Sequence, residues 1–149
     1  MLSNRDLYWH MTKISETYAE LKTSFDNFYQ FAGDLLTEER CPVKGISFYP
    51  HLAKNYFDVS FAGRQTRYSF LVAEDEKASV PSLRGFVKCN EIGIDKKPVE
   101  PIIGEFSFNR HCETTMMTPD GDGDPLYIHI QWQAAYIVLN LLKESFGKK

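Results

Sequence analysis

Residues 7–36, LYWHMTKISETYAELKTSFDNFYQFAGDLL, decide the fold of this chain. Apolar side chains recur there at alternating steps of four and three residues, the spacing of one face of an α-helix. These positions, called the apolar seam below, are Leu7, Met11, Ile14, Tyr18, Leu21, Phe25, Phe28, Ala32 and Leu35. The stretch therefore predicts one long amphipathic N-terminal helix with a single apolar face that must be buried.

Capping and proline signals mark the ends of this helix. Ser3 and Asp6 have capping-box spacing, with Asp in place of the usual Glu or Gln, so we expect the helix to begin near Ser3 or Asn4. Cys41-Pro42 closes the element, because the residue before proline avoids the helical region. A helix of about 30 residues is about 45 Å long, whereas a compact domain of this size is about 40 Å across. We therefore expect the helix to kink, break or extend beyond its domain, and an extended apolar seam needs a partner.

The seam lacks the charge pattern of a coiled coil. With Leu7 taken as heptad position a, the e and g positions do not carry the paired opposite charges that select a coiled-coil partner. The seam is instead rich in aromatic residues, which suit packing on a sheet. Two interpretations stay open: a helix packed on its own sheet, and a helix that also forms a dimer face. The candidate interface residues for the second interpretation are Tyr8, Trp9, Met11, Tyr18 and Tyr29.

The middle of the chain alternates apolar and polar residues, as half-buried strands do. Residues 55–61 and 66–73 show this alternation on either side of a turn at 62–65, which predicts a β-hairpin. Because the connections between strands are short, an antiparallel meander is expected. Further strands are predicted at 45–49, 84–92, 102–110 and 126–131, and helical spacing returns from Trp132 to Phe146.

The expected fold is α+β in a single domain over residues 1–149. It combines the long N-terminal helix, an antiparallel meander of about five or six strands and an amphipathic C-terminal helix packed on one face of the sheet. The composition agrees with this fold. The chain has 149 residues, of which 43% are hydrophobic and 14% aromatic, which is the size of one domain and too apolar for disorder.

The net charge and the absence of long apolar stretches also limit the possible classes of function. The net charge is -3 and no block of like charges is present, so nucleic acid is not expected as a partner. No apolar stretch reaches the roughly 18 residues of a membrane span, and the first residues, MLSNRDLYWH, have no signal-peptide pattern. A cytoplasmic protein is expected, with three reduced cysteines: Cys41, Cys89 and Cys112.

The acidic loop at residues 120–124 is a candidate for cation binding. Its three carboxylates, two residues apart, match the start of a calcium-binding EF-hand loop. The match then ends, because Pro125 stands where the sharp-turn glycine belongs and Gln131 stands where the bidentate Glu belongs. A solvated strand connection built from Asp and Gly is the favoured interpretation. No metal site is predicted.

Cysteine, histidine and arginine supply the remaining candidates for chemistry. Cys112 and His129 make a nucleophile–base pair or zinc ligands only if their strands pair, and no CxxC or HExxH spacing supports this. Arg64 and Arg67, at the first hairpin, can form a fork for phosphate or carboxylate. Ordinary solubilising charge is the competing explanation for both arginines. No phosphate loop, Rossmann fingerprint or nucleophile elbow is present.

Two classes of function follow from these observations. The favoured one is a small non-enzymatic binding or regulatory protein without a cofactor, which associates with itself or another protein through the N-terminal helix. The alternative is a ligand-binding or enzymatic domain with a pocket between sheet and helices. Its first lining candidates are Arg67, Cys112 and His129. No catalytic residue is assigned.

Overall fold

The computed structural model describes residues 3–75 and 82–147. Helix α1 comes first and spans Asn4–Leu36. Within the described part, seven strands follow: β1 Ser47–His51, β2 Tyr56–Phe61, β3 Arg64–Glu74, β4 Leu83–Ile92, β5 Pro98–Phe108, β6 Glu113–Met117 and β7 Pro125–Tyr127. A single 3-10 turn, Leu52–Lys54, separates β1 from β2, and helix α2, Gln131–Gly147, closes the fold.

Helix α1 is one unbroken helix, as its apolar spacing predicts. Ser3 is the N-cap, and its side-chain oxygen accepts a hydrogen bond from the backbone N–H of Asp6 at 3.1 Å, which satisfies one of the free donors of the first turn. At the other end the backbone N–H of Thr37 donates to the carbonyl of Gly33 at 3.0 Å, and the N–H of Glu38 donates to the carbonyl of Leu35 at 3.4 Å. The helix has 33 residues, which makes it about 50 Å long.

The sheet is an antiparallel meander in the order β1-β2-β3-β4-β5-β6-β7. The predicted hairpin is confirmed, since β2 pairs with β3 and Phe61 lies opposite Arg64. Ala62 and Gly63 make its turn with positive φ angles of 51° and 82°.

The sheet has seven strands rather than the expected five or six. Strand β6 shares a single pair of opposed Cα atoms with β5, and its ETTMM sequence carries little apolar alternation. Strand β7 ends at Tyr127, so the strand predicted at 126–131 is too long and His129 lies in a turn. Helix α2 begins at Gln131 and takes the rest of that stretch.

Both helices pack on one face of the sheet, and the core lies between the two layers. The aromatic rings there are closely stacked: the Phe57 and Tyr68 centroids are 4.9 Å apart with 7° between their planes, and Phe25 of α1 stacks on Phe70 at 4.9 Å. The Tyr68 hydroxyl donates to the carbonyl of Val138 in α2 at 3.0 Å. This bond ties the centre of the sheet to the C-terminal helix, and the aromatic seam packs on its own sheet as predicted.

Burial changes sharply along α1. Every fully buried residue of the helix comes from its second half: Leu21, Phe25, Phe28, Ala32 and Leu36. Residues 4–17, called the exposed segment below, extend past the core, and its large apolar residues are exposed except Ile14, which is half-buried. The exposed fractions are 47% for Leu7, 69% for Tyr8, 64% for Trp9 and 52% for Met11.

Candidate functional site

The five predicted interface residues divide between the two halves of α1. Tyr8, Trp9 and Met11 lie on the exposed segment. Tyr18 lies at the boundary, half-buried, with its hydroxyl within hydrogen-bond distance of the Asn55 side chain. Tyr29 packs inside the protein against the rings of Phe48 and Phe57 at 5.9 and 5.2 Å. Burial, together with the nearby Asp34 carboxylate, raises the pKa of Tyr29, and the residue is partly buried against the core.

Charged residues flank the apolar side chains of the exposed segment. Lys13 pairs with Glu16 at 3.5 Å and lies 5.8 Å from the centre of the Trp9 ring. Further along, Glu20 accepts two hydrogen bonds from Arg110, at 2.7 and 3.2 Å. The Arg110 pair anchors the helix to the connection between β5 and β6. The segment before it is therefore an apolar surface with a charged border.

Arg67 lies on the face of the sheet that the helices do not cover. It alternates along β3 with the buried Thr66 and Tyr68, so its side chain points away from them. Asp58 stands directly opposite on β2 and accepts from the guanidinium at 2.8 and 3.0 Å. These hydrogen bonds raise the pKa of Arg67. Asp58 is only 3% exposed, so a nearly buried ion pair stands on the open face.

Aromatic rings continue this cluster across three strands. The Arg67 guanidinium lies 3.9 Å from the centre of the Tyr56 ring. From the other side, His51 of β1 stacks on Tyr56 at 4.9 Å. Sequence reasoning named Arg67 and missed Asp58, Tyr56 and His51. The hairpin register brings Asp58 opposite Arg67 only because the turn has two residues, Ala62 and Gly63, rather than the four predicted at 62–65.

A depression of about 500 Å³ opens over this cluster. Lys96 reaches it from the turn between β4 and β5, where its backbone has a positive φ of 67°. We call it the open-face depression. Besides Lys96 and the Asp58–Arg67 pair, its lining includes Tyr49, His51, Tyr56, Ser60 and Gln65.

Cys112 and His129 do not join Arg67 in one site. Cys112 precedes β6, and its thiol lies 3.5 Å from the hydroxyl of Ser24 on α1, on the helix-covered side of the sheet. Its carbonyl accepts from the N–H of Ile128 at 3.0 Å, so the chain brings the backbone of Cys112 next to the residue before His129. The His129 side chain is exposed and its ring stands edge-on to Tyr127 at 5.6 Å.

The centre of the space between the sheet and the helices, where a ligand pocket was the alternative expectation, is occupied by side chains. Phe25, Phe57, Tyr68 and Phe108 are all completely buried there. Cys89 is buried beside Tyr68, and burial raises the pKa of the Cys89 thiol to about 12. This thiol is therefore protonated at neutral pH and packs as a small apolar group.

The acidic loop uses its first carboxylate to hold its own turn. Asp120 accepts from the Thr118 hydroxyl at 2.7 Å and from the N–H of Asp122 at 3.2 Å. These hydrogen bonds lower the pKa of Asp120. Gly121 and Gly123 both have a φ of 79°, which glycine adopts without strain. Over residues 3–75 and 82–147, no group of three or more His, Cys, Asp or Glu side chains is placed to hold a metal ion.

Comparison with known proteins gives no relative for this chain. No protein-family model matches it, and no curated protein or solved structure matches it significantly. Neither helix, over the residues that the structure describes, is long and apolar enough to cross a membrane. Among the described residues, the exposed segment of α1 and the open-face depression are the surface features developed below.

Proposed function

We propose that this protein is a non-enzymatic binding or regulatory protein that forms a homodimer through the exposed segment of α1. One observation carries the proposal: Leu7, Tyr8 and Met11 are large, exposed apolar side chains that lie within about 100° of one another around the helix axis, whereas the exposed Trp9 lies on a different side. Scattered exposed apolar residues are normal on a protein surface, but contiguous exposed apolar patches mark interaction sites. Burial of such area stabilises a complex by about 25 cal/mol per Å² before the costs of association.

A second copy of the chain suits this surface because the segment is self-complementary. When the two-fold axis is perpendicular to the helices, the two helices run antiparallel and the same patch serves both copies. Leu7 of one copy then lies opposite Ile14 of the other, with Met11 close to the two-fold axis.

The expected affinity is modest. The segment of residues 4–17 is about 21 Å long, so the contact is at the small end of specific protein interfaces. We therefore expect a reversible dimer with a dissociation constant on the order of micromolar, without a change in the fold of each copy.

Sedimentation velocity over a wide range of protein concentration tests the proposal. The native chain is expected to shift from monomer to dimer, and Met11→Glu, which places a carboxylate near the two-fold axis, is expected to stay monomeric with an unchanged circular dichroism spectrum. Thr12→Glu is the matched control, because it adds the same charge one residue away on an exposed side of the helix. A native chain that stays monomeric at the highest concentration contradicts the proposal.

A further inference from the structure

An ion pair with little solvent contact is an unusual feature of an uncovered sheet face. Asp58 is 3% exposed and the Arg67 side chain 15% exposed, although the helices pack on the other face. Removing both charges from water costs free energy that their attraction often fails to recover. Solubility does not require such a pair, because exposed charges serve that purpose better. We therefore consider a function for this ion pair in the open-face depression.

The pair fixes the position of the guanidinium. Asp58 engages the Nε and Nη2 atoms of Arg67, and the Tyr56 ring supports the plane of the group at 3.9 Å. These contacts leave the two N–H donors of Nη1 outside the pair. A guanidinium held along one edge loses little freedom when its other edge binds an acceptor.

Two more basic side chains reach the same depression from other elements. Lys96 comes from the turn between β4 and β5, and His51 from β1. Because Asp58 balances the charge of Arg67, the surplus positive charge comes from Lys96. This balance suits a ligand group with one or two negative charges, and the Ser60 hydroxyl and Gln65 amide add neutral donors.

We propose that the open-face depression binds the oxyanion of a small molecule, a phosphate or carboxylate group, with Lys96 and the Nη1 edge of Arg67 as its cationic partners. The volume of about 500 Å³ lies in the range of small-molecule sites. The rings of Tyr49 and His51 border the depression and offer apolar surface to the rest of the ligand. Charge-assisted hydrogen bonds to the oxyanion supply most of the affinity.

Nuclear magnetic resonance titration of the ¹⁵N-labelled protein tests the proposal with two probes, inorganic phosphate and benzoate, at constant ionic strength. We expect saturable amide shifts confined to β1, β2, β3 and the turn that carries Lys96. The probe that saturates at the lower concentration identifies phosphate or carboxylate as the recognised group. Linear shifts without saturation, or shifts spread over the whole surface, overturn the proposal.

Two lysines of the same turn give a matched pair of variants. Lys96→Ala is expected to weaken binding by about fivefold or more, the loss of one charge-assisted hydrogen bond. Lys97→Ala removes the same charge one residue away, and Lys97 does not line the depression. The Lys97→Ala variant is therefore expected to bind the probe with the affinity of the native protein. Equal affinities for all three proteins overturn the assignment to this site.

Arg67→Lys tests the second cation. The variant keeps a positive charge beside Asp58. A single ammonium group cannot replace both the two hydrogen bonds to Asp58 and the Nη1 donors to the ligand, so we expect a folded protein with weakened binding. The fold is checked from the amide spectrum of the unliganded variant. A folded Arg67→Lys protein with native affinity shows that Arg67 takes no part in binding and overturns its assigned role.

Discussion

The two halves of α1 carry the same apolar spacing and have opposite surroundings. In the second half, Phe25 and Phe28 are completely buried against the sheet. In the first half, Leu7 and Met11 continue the same seam and remain about half exposed. The difference comes from the sheet rather than from the helix. Strands β2, β3 and β5 contact the second half, whereas among the described residues the ends of β3 and β4, at Glu74 and Leu83, lie next to the first half.

This contrast teaches that an apolar stripe predicts a buried face but not what buries it. A rigid helix about 50 Å long cannot keep its whole length on a domain of this size. At the exposed segment the closest sheet residues, Glu74 and Leu83, leave a cavity of about 240 Å³ against Ile14 and Trp9. The apolar spacing predicts the helix. The extent of the sheet determines which half of the helix is buried within the chain.

The largest expected difference between the halves is in the free energy of unfolding. Phe28→Ala removes a buried ring that lies 5.9 Å from Phe57 and 5.7 Å from Phe106, and we expect a loss of about 3–5 kcal/mol. Leu7→Ala occupies the same seam in the exposed segment and is expected to change the monomer by less than about 0.5 kcal/mol. Urea unfolding at low protein concentration measures both. Similar losses for the two variants would show that the exposed segment is part of the core.

Alkaline pH tests the buried region without a change in packing. Burial raises the pKa of Cys89 to about 12, above the ordinary thiol value of about 8.5. The unfolded thiol then ionises first, so its contribution to stability is complete below about pH 8.5 and falls by about 1.4 kcal/mol per pH unit as the pH rises toward 12. Burial also raises the pKa of Tyr68, which adds a loss of the same sign above about pH 10.

Cys89→Ala is the control for this titration. The cavity that it leaves lowers stability at every pH, but the variant has no thiol to ionise, so its stability is expected to stay level between about pH 8.5 and 10. Urea midpoints measured at steps of pH compare the two proteins. Parallel curves for the native protein and the variant would contradict the assignment of the slope to Cys89.

Much of the fold was predictable from periodicity. The seam of α1 and the alternation on either side of Gly63 identified the long helix and the β2–β3 hairpin, because each pattern extends over many residues. Strand β6 escaped prediction because five residues with a single Cα pairing to β5 leave no such pattern. The predicted end of β7 was wrong for a related reason. The apolar run from Leu126 to Ile130 is compatible both with a strand and with the turn that precedes α2.

The site residues were less predictable, because they depend on pairings distant in sequence. Arg67 was identified from its residue type, but its ion pair with Asp58 follows from the register across the hairpin. Lys96 reaches the same depression only through the path of the β4–β5 turn. Cys112 and His129 were grouped by chemistry, and the fold places them at the β6–β7 edge, away from Arg67. Side-chain type alone does not tell which strand face or turn brings groups together.

Tyr18→Phe sharpens the comparison at the boundary between the two halves. The variant loses the contact between the Tyr18 hydroxyl and the Asn55 side chain and keeps the ring against Phe70 at 6.1 Å. We expect a loss of about 0.5–1.5 kcal/mol, the usual value of one such hydrogen bond. Thermal or urea unfolding measures it. A loss as large as that of Phe28→Ala would place the end of the core further toward the N-terminus than burial indicates.

The smallest expected effect on global stability comes from Ser3→Ala at the free end of α1. The variant removes the N-cap hydrogen bond to Asp6, which is worth about 1 kcal/mol to a helix that must form on its own. Because the exposed segment contributes few core contacts, this free energy is lost by local fraying of the first turns rather than by global unfolding. Hydrogen exchange of the monomeric Met11→Glu protein is expected to become about fivefold faster at residues 6–10 when Ser3→Ala is added, with no change at Leu21 and beyond. Faster exchange along the whole helix would mean that α1 opens as one unit, and the two halves would then differ in burial but not in stability.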